Sequence, residues 1–388
     1  MRTTCEKWAG QIARAHGWGG KHRTCGAGSA CDKQVLLERA AHHAEQGCLC
    51  QAAKAMNGYF RLVKCPQSAT RVADLAIGVF LLGLWQERLQ RKQLLWPRKI
   101  GFLCACLEKL SVHAFTQVLE QLYQHSKRYQ SFVLLFALLE RAVERFAGQP
   151  GKLFQLWAKD SSARYYVHDY QRGYESSLRA LQYRDYADEA AYSQVLVRHG
   201  NLCLQLKKYK EALFSYLQGY HLRANADESF ALACKVNSGR AYFKLCDYEN
   251  ARKQWEEVLA KAAANDELRI HLLTDLTFLE LTRGDFAKGM NLYCETERML
   301  SRLPQQKKEA YASEALLHER NGALIRYVTQ PEQGMRQLLA TACKMTKSPL
   351  KDEIFETVYL MVVFLAKYGN ILGEEDLRKL ENLKEYIV

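Results

Sequence analysis

Apolar residues recur at three- and four-residue intervals along most of the chain, the period of an amphipathic helix, and no stretch alternates with the period of a strand. Short polar connectors break this pattern. Leu206-Lys207-Lys208-Tyr209, Leu245-Cys246-Asp247-Tyr248 and Thr282-Arg283-Gly284-Asp285-Phe286 each join two apolar-periodic segments, as tight turns between antiparallel helices do. The longest apolar runs, Leu75 to Trp85, Phe132 to Leu139 and Val358 to Ala366, fall well short of the roughly 20 residues needed to cross a bilayer. They read as buried helix centres, so no transmembrane segment is expected.

The helices repeat. A small residue preceded by an aromatic three positions earlier occurs at Gly173, Ala212, Ala251 and Gly289, at steps of 39, 39 and 38 residues. The aromatics are Tyr170, Tyr209, Tyr248 and Phe286, and a second large ring follows three of the small residues at Tyr216, Trp255 and Tyr293. Each small residue is predicted to let the second helix of a hairpin approach the first, with the aromatic filling the space beside it. Gly200 and Gly239, twelve residues before Ala212 and Ala251, mark the matching point on the first helix. Asn321-Gly322 with Gly334 and Leu338 repeats the same offset, and Tyr129, Phe132 and Phe136 form a degenerate unit. A weaker one lies at Gly47, Ala52 and Met56.

This arrangement resembles the tetratricopeptide repeat, whose first helix carries a Leu-Gly pair and a Tyr and whose second carries an Ala and a Phe. The resemblance is strong over about residues 150 to 340 and implies an all-α, right-handed superhelical solenoid of antiparallel helix pairs. The repeat is longer than the family's usual 34 residues, and Ala224 and Ala263 stand where a closing proline is common. Longer repeats occur in peptide-sensing and motor-adaptor members of the family. The reading divides the chain into a flexible basic arm (1–30), a basic N-terminal helical region of degenerate repeats (31–130), a repeat array (131–369) and C-terminal capping helices (370–388).

Charge changes the picture for one part of the molecule. Of the net charge of +13, residues 1–130 carry +11, with 19 Lys/Arg against 8 Asp/Glu. An anionic partner, nucleic acid above all, is therefore compatible with that third, as is a solvated basic face. No helix-turn-helix can be delimited in it; Ser68 to Leu81 is the best stretch, and it has the look of core. Thirteen cysteines without an apolar export signal imply reduced thiols and a cytoplasmic protein. Cys203, Cys234 and Cys246 sit at core-like helical positions. His42, His43, Cys48 and Cys50, with Cys104 and Cys106, lack the paired spacing of a structural zinc site, so no metal and no cofactor are expected.

In a repeat array the first helices line a concave wall, and polar side chains there are the candidates for ligand contact. The spacing assigns to this wall Arg198, Asn201, Gln205, Asn237, Arg240, Lys244, Asp275 and Arg320. Carboxamides satisfy both the donor and the acceptor of an extended peptide backbone, and guanidinium groups clamp carboxylates. Asn201 and Asn237 match the asparagines of the carboxylate-clamp subtype, but Val197, His271 and Asp275 stand where it needs cations. The asparagine pair is more similar to that of bacterial and phage peptide-pheromone receptors.

Catalytic signatures are missing from the sequence. It has no glycine-flanked nucleophile, no P-loop and no dinucleotide fingerprint, and its eleven histidines are scattered. The expectation is a non-enzymatic protein that holds a peptide or protein segment in its concave groove. The alternative is a peptide-gated transcription regulator whose residues 1–130 contact DNA; a homodimer is compatible with either.

Overall fold

The computed structural model describes Arg39 and residues 96–388, apart from 263–264, 305–309, 349, 351–352, 369–370 and 385–388. The arm, the weak repeat at Gly47, the His42–Cys50 cluster, the run Leu75 to Trp85 and the Ser68–Leu81 stretch lie outside the described residues. Those described form fifteen α-helices, one 3-10 turn and no strand. They fall into two compact units that divide between Asp188 and Glu189, inside the stretch read from the sequence as one array.

The first unit contains α1 (Trp96–Glu108), α2 (Val112–Tyr129), α3 (Val133–Arg145), α4 (Pro150–Tyr166) and α5 (Tyr170–Leu181), then the 3-10 turn Arg184–Tyr186. Leu103, Leu107, Phe115, Leu119, Leu135, Leu138 and Phe146 form its core. Lys152 is buried with them, its Nζ donating to the carbonyls of Leu107 (3.2 Å) and Glu108 (2.7 Å) at the end of α1. Those carbonyls have no partner within their own helix, so the ammonium serves as their cap.

The second unit contains α6 (Glu189–Gln205), α7 (Tyr209–Arg223), α8 (Glu228–Lys244), α9 (Tyr248–Lys261), α10 (Asp266–Arg283), α11 (Phe286–Arg302), α12 (Ala312–Thr329), α13 (Pro331–Met345), α14 (Ile354–Tyr368) and α15 (Glu374–Asn382). Helices α6/α7, α8/α9, α10/α11 and α12/α13 pack as hairpins, as α4/α5 do in the first unit. The four predicted aromatics, Tyr170, Tyr209, Tyr248 and Phe286, are the first residues of α5, α7, α9 and α11. Past residue 370 the described residues hold one helix, α15, where a capping pair was expected.

One backbone device closes four of the hairpins. His168, Lys207, Cys246 and Gly284, two residues before each aromatic, have positive φ (60°, 61°, 61° and 87°). Their amides bond back to Tyr165, Leu204, Phe243 and Leu281, and the next amides to Arg164, Cys203, Tyr242 and Glu280. This double bond pattern is the Schellman motif, which satisfies the last carbonyls of the first helix and reverses the chain. Only the fourth turn uses glycine, the residue that adopts this conformation without Cβ strain. The turn position also overturns one expectation: Cys203 and Cys234 are buried as predicted, but Cys246 is exposed.

Inside the hairpins the small residues do what their spacing implied. A Cβ on Gly239 would fall 2.3 Å from Nε1 of the buried Trp255, and one on Gly200 would fall 2.6 Å from the Tyr216 ring. Trp255 is fixed there because its indole N–H donates to the Val236 carbonyl at 3.0 Å. Successive hairpins are stitched by Glu280 on α10, 1% exposed, which lies 2.9 Å from Lys288 on α11 and 3.8 Å from Arg252 on α9.

Candidate functional site

The site is built within the second unit by the first helices of its hairpins. Helix α8 carries Arg240 and Lys244 one turn apart, so both point to the same side. Helix α10 brings His271 and Asp275 to Arg240: its Nε lies 3.7 Å from the Asp275 carboxylate, and its guanidinium is hydrogen-bonded to His271. His271 in turn lies 3.7 Å from Glu314 on α12. A hydrogen bond with His271 holds the Glu314 carboxyl below the usual carboxylate range.

A second polar cluster forms where α14 meets α8 and α12. Lys244 pairs with Glu356, although 112 residues separate them, and Arg320 lies 3.3 Å from Glu353. Arg320 is not on an open wall, as its position in the sequence implied. It is 1% exposed, with its guanidinium 3.6 Å from the centre of the Phe278 ring. The reason is that Glu353, the residue before α14, lies against α12 and supplies the carboxylate that makes burial of the charge tolerable.

Between α6, α8, α10 and the start of α14 lies a cleft of about 500 Å³. Tyr209, Phe243, Tyr248, Phe278, Phe355 and Tyr359 give it an aromatic lining, and Gln205, Lys244, Glu353 and Glu356 add polar groups. Lys207, in the α6/α7 turn, sits 5.0 Å over the Phe355 ring at its edge.

Of the residues assigned from the sequence, Gln205 and Lys244 line this cleft, while Arg240 and Asp275 are brought together next to it. Asn201 accepts a hydrogen bond from the Tyr216 hydroxyl at 2.8 Å, a contact within the α6/α7 hairpin. Arg198 and Asn237 are half-buried on α6 and α8. The acids that neutralise the cations, Glu314, Glu353 and Glu356, were not singled out from the sequence. For Glu353 and Glu356 the one local signal is a pair of acids three residues apart at the head of an apolar helix.

Burial, reinforced by repulsion from Glu353, pushes Glu356 up to about 7. Glu353, although partly desolvated, is held low because Lys244 and Arg320 attract its charged form. Lys244, against its own burial, is lifted above the ordinary lysine value by Glu353 and Glu356.

A carboxyl whose pKa is raised in the fold contributes stability that is fully present below its unfolded value, near 4.5, and is lost as pH rises through about 7. The wild type should therefore lose on the order of 2 kcal/mol between pH 5 and 8.5 from this group. Glu356→Gln should flatten that part of the profile. Urea denaturation at a series of pH values checks it, and equal slopes for the two proteins would refute the assignment.

No protein-family model matches the chain, and no curated protein matches it in sequence. Solved structures do. The apo form of RapI superposes with a TM-score of 0.55 at 14% identity, covering 68% of this chain and 96% of that one. Aspartyl phosphate phosphatase F from Bacillus subtilis gives 0.56 at 11% identity, covering 95% and 96%. A Rap protein complexed with competence and sporulation factor gives 0.53 at 12% identity, covering 92% and 98%. In the described residues no helix is long and apolar enough to cross a membrane. With its antiparallel helix pairs, glycine-to-ring contacts and repeated turns, the chain carries a tetratricopeptide-like helical-repeat fold, and these solved structures are similar to it in fold.

Proposed function

We propose that the protein is a non-catalytic peptide-binding solenoid whose second unit holds an extended peptide or protein segment along α6, α8 and α10. The observation that carries this reading is the aromatic cleft with the Gln205 carboxamide in its lining, and Asn237 two turns before Lys244 on the same helix. Six rings offer apolar side chains a place to be buried, and half-buried Gln205 and Asn237 make no side-chain hydrogen bond among the described residues. Such amides can pair with a peptide backbone without displacing an existing partner. A Rap protein of the same fold bound to competence and sporulation factor gives the reading a precedent.

The cations in and beside the cleft do not favour an acidic segment. Arg240, Lys244 and Arg320 already face Asp275, Glu356 and Glu353. An acidic peptide would have to compete with those carboxylates, so an apolar or aromatic anchor with backbone contacts fits better. Selection from a random heptapeptide display library, followed by calorimetry on the selected peptide, tests this. Gln205→Ala combined with Asn237→Ala should weaken binding by roughly tenfold or more, at about 1 kcal/mol per lost hydrogen bond, without lowering thermal stability. Unchanged affinity would place the ligand elsewhere.

The charge of residues 1–130 supports a second reading, a regulator that also contacts nucleic acid. Binding to random duplex DNA that falls steeply with salt and disappears on deletion of those residues would favour it. No binding at low salt would remove it.

A further inference from the structure

Helix α6 places His199 and Cys203 one turn apart, and α7 places Glu211 opposite them in its first turn. His199 Nε2 lies 3.1 Å from a Glu211 oxygen and 3.5 Å from Cys203 Sγ, and the three ligand atoms all lie within 4.8 Å of one another. Cys203 and His199 are buried, at 0% and 3% exposure, while the Glu211 side chain is 38% exposed. We propose that His199, Cys203 and Glu211 form a binding site for a divalent transition-metal ion of the zinc class, which pins α6 to α7.

Geometry carries the assignment. A tetrahedral ion with ordinary zinc–nitrogen, zinc–oxygen and zinc–sulfur bonds holds its nitrogen and oxygen ligands roughly 3.3 Å apart and its nitrogen and sulfur ligands roughly 3.5 Å apart. The two separations from Nε2 match those edges closely, and Sγ and the Glu211 oxygen lie within 4.8 Å of each other, so an ion could enter with small side-chain adjustments. A single ring nitrogen faces both the thiol and the carboxylate. Nε2 can serve only one of them by a hydrogen bond, as a donor or as an acceptor, whereas an ion at their centre satisfies all three.

The donor set is chemically consistent. Thiolate, imidazole and carboxylate together suit a borderline ion such as Zn²⁺ and do not suit Mg²⁺ or Ca²⁺, which take oxygen ligands. Three protein ligands leave a fourth position, on the exposed Glu211 side, for water or a small anion. Binding replaces the Cys203 S–H bond with a sulfur–metal bond and releases one proton to solvent. Sequence spacing alone could not reveal the site, because the third ligand comes from the partner helix of the hairpin. Cys203 therefore reads as an ordinary small core residue.

Cobalt(II) titration of the metal-stripped full-length protein tests the proposal, since a thiolate–cobalt bond gives an intense near-ultraviolet charge-transfer band and tetrahedral cobalt gives strong visible bands. Wild type should develop both bands with one equivalent of Co²⁺ and lose them when Zn²⁺ is added. Other cysteines can also bind cobalt, so the decisive comparison is with Cys203→Ala, which should lack the charge-transfer band at one equivalent. Should that variant fail to fold, Glu211→Gln, altered at an exposed side chain, must weaken Co²⁺ binding by roughly tenfold or more, the scale seen for losing even a supporting group. No band in the wild type, the same band in Cys203→Ala, or unchanged affinity in Glu211→Gln would each overturn the assignment. None of these readouts involves a peptide, so they stand apart from the test of the cleft.

Discussion

Gly334→Ala should destabilise the second unit by about 3 kcal/mol, at the upper end of what overpacking costs. Helix α13 crosses α12 so closely at this point that a Cβ on Gly334 would fall 2.4 Å from both the Cα and the backbone nitrogen of Tyr327. A clash with the tip of a side chain can be relieved by a rotamer change; a clash with backbone moves a helix. Tyr327 is itself buried and stacks on Phe364 of α14 with ring centroids 4.1 Å apart, so a displaced α12 also loosens α14. Alanine gains about 1 kcal/mol over glycine in helix propensity, and the estimate is net of that gain. Gly101→Ala in α1 is the matched control: nothing lies within 4 Å of its Cβ position, and it should be neutral or stabilising. Urea denaturation of the two variants checks both, and a Gly334→Ala protein as stable as wild type would mean that the helices do not approach this closely.

Arg320→Ala should cost about 3–5 kcal/mol, the range for removing one partner of a buried ion pair. Two losses combine. The substitution takes a large, fully buried side chain out from over Phe278, leaving a cavity, and it strips Glu353 of its nearest guanidinium. Glu353 is one-third exposed, so water can re-enter beside it, which places the expected loss nearer the lower bound. Arg320→Met separates the contributions, because methionine refills most of the volume without the charge. If packing dominates, Arg320→Met recovers most of the stability; if the ion pair dominates, it recovers little unless Glu353→Gln is added. A loss under about 1 kcal/mol for Arg320→Ala would contradict the burial of this residue. The same variants bear on the cleft, since Glu353 and Phe278 both line it.

How far the sequence could be read depends on the distance over which each feature is decided. The starts of α5, α7, α9 and α11 were legible at Tyr170, Tyr209, Tyr248 and Phe286, because helix period, turn chemistry and hairpin packing all act within about one repeat. The contact of Gly239 with Trp255 belongs to the same class: sixteen residues separate them, and a tight turn leaves the helices one way to pair. The candidate wall was legible only in part. Gln205 and Lys244 do reach the cleft, and Arg240 and Asp275 do meet next to it, since neighbouring repeats repeat their geometry.

What the sequence by itself determined, then, is the all-helical class, the repeat length, the hairpin turns and the small-to-aromatic contacts within them. Tertiary structure alone decided which charges meet. Lys244 finds Glu356 across 112 residues, and Arg320 is buried where a wall residue was expected. The physical reason is that small rotations from one hairpin to the next accumulate along the stack, so where α14 arrives relative to α8 is set by the sum of many packing contacts and by no local pattern. The His199–Cys203–Glu211 cluster stands between these cases: two members lie one helical turn apart, and the third is supplied by the fold of the hairpin.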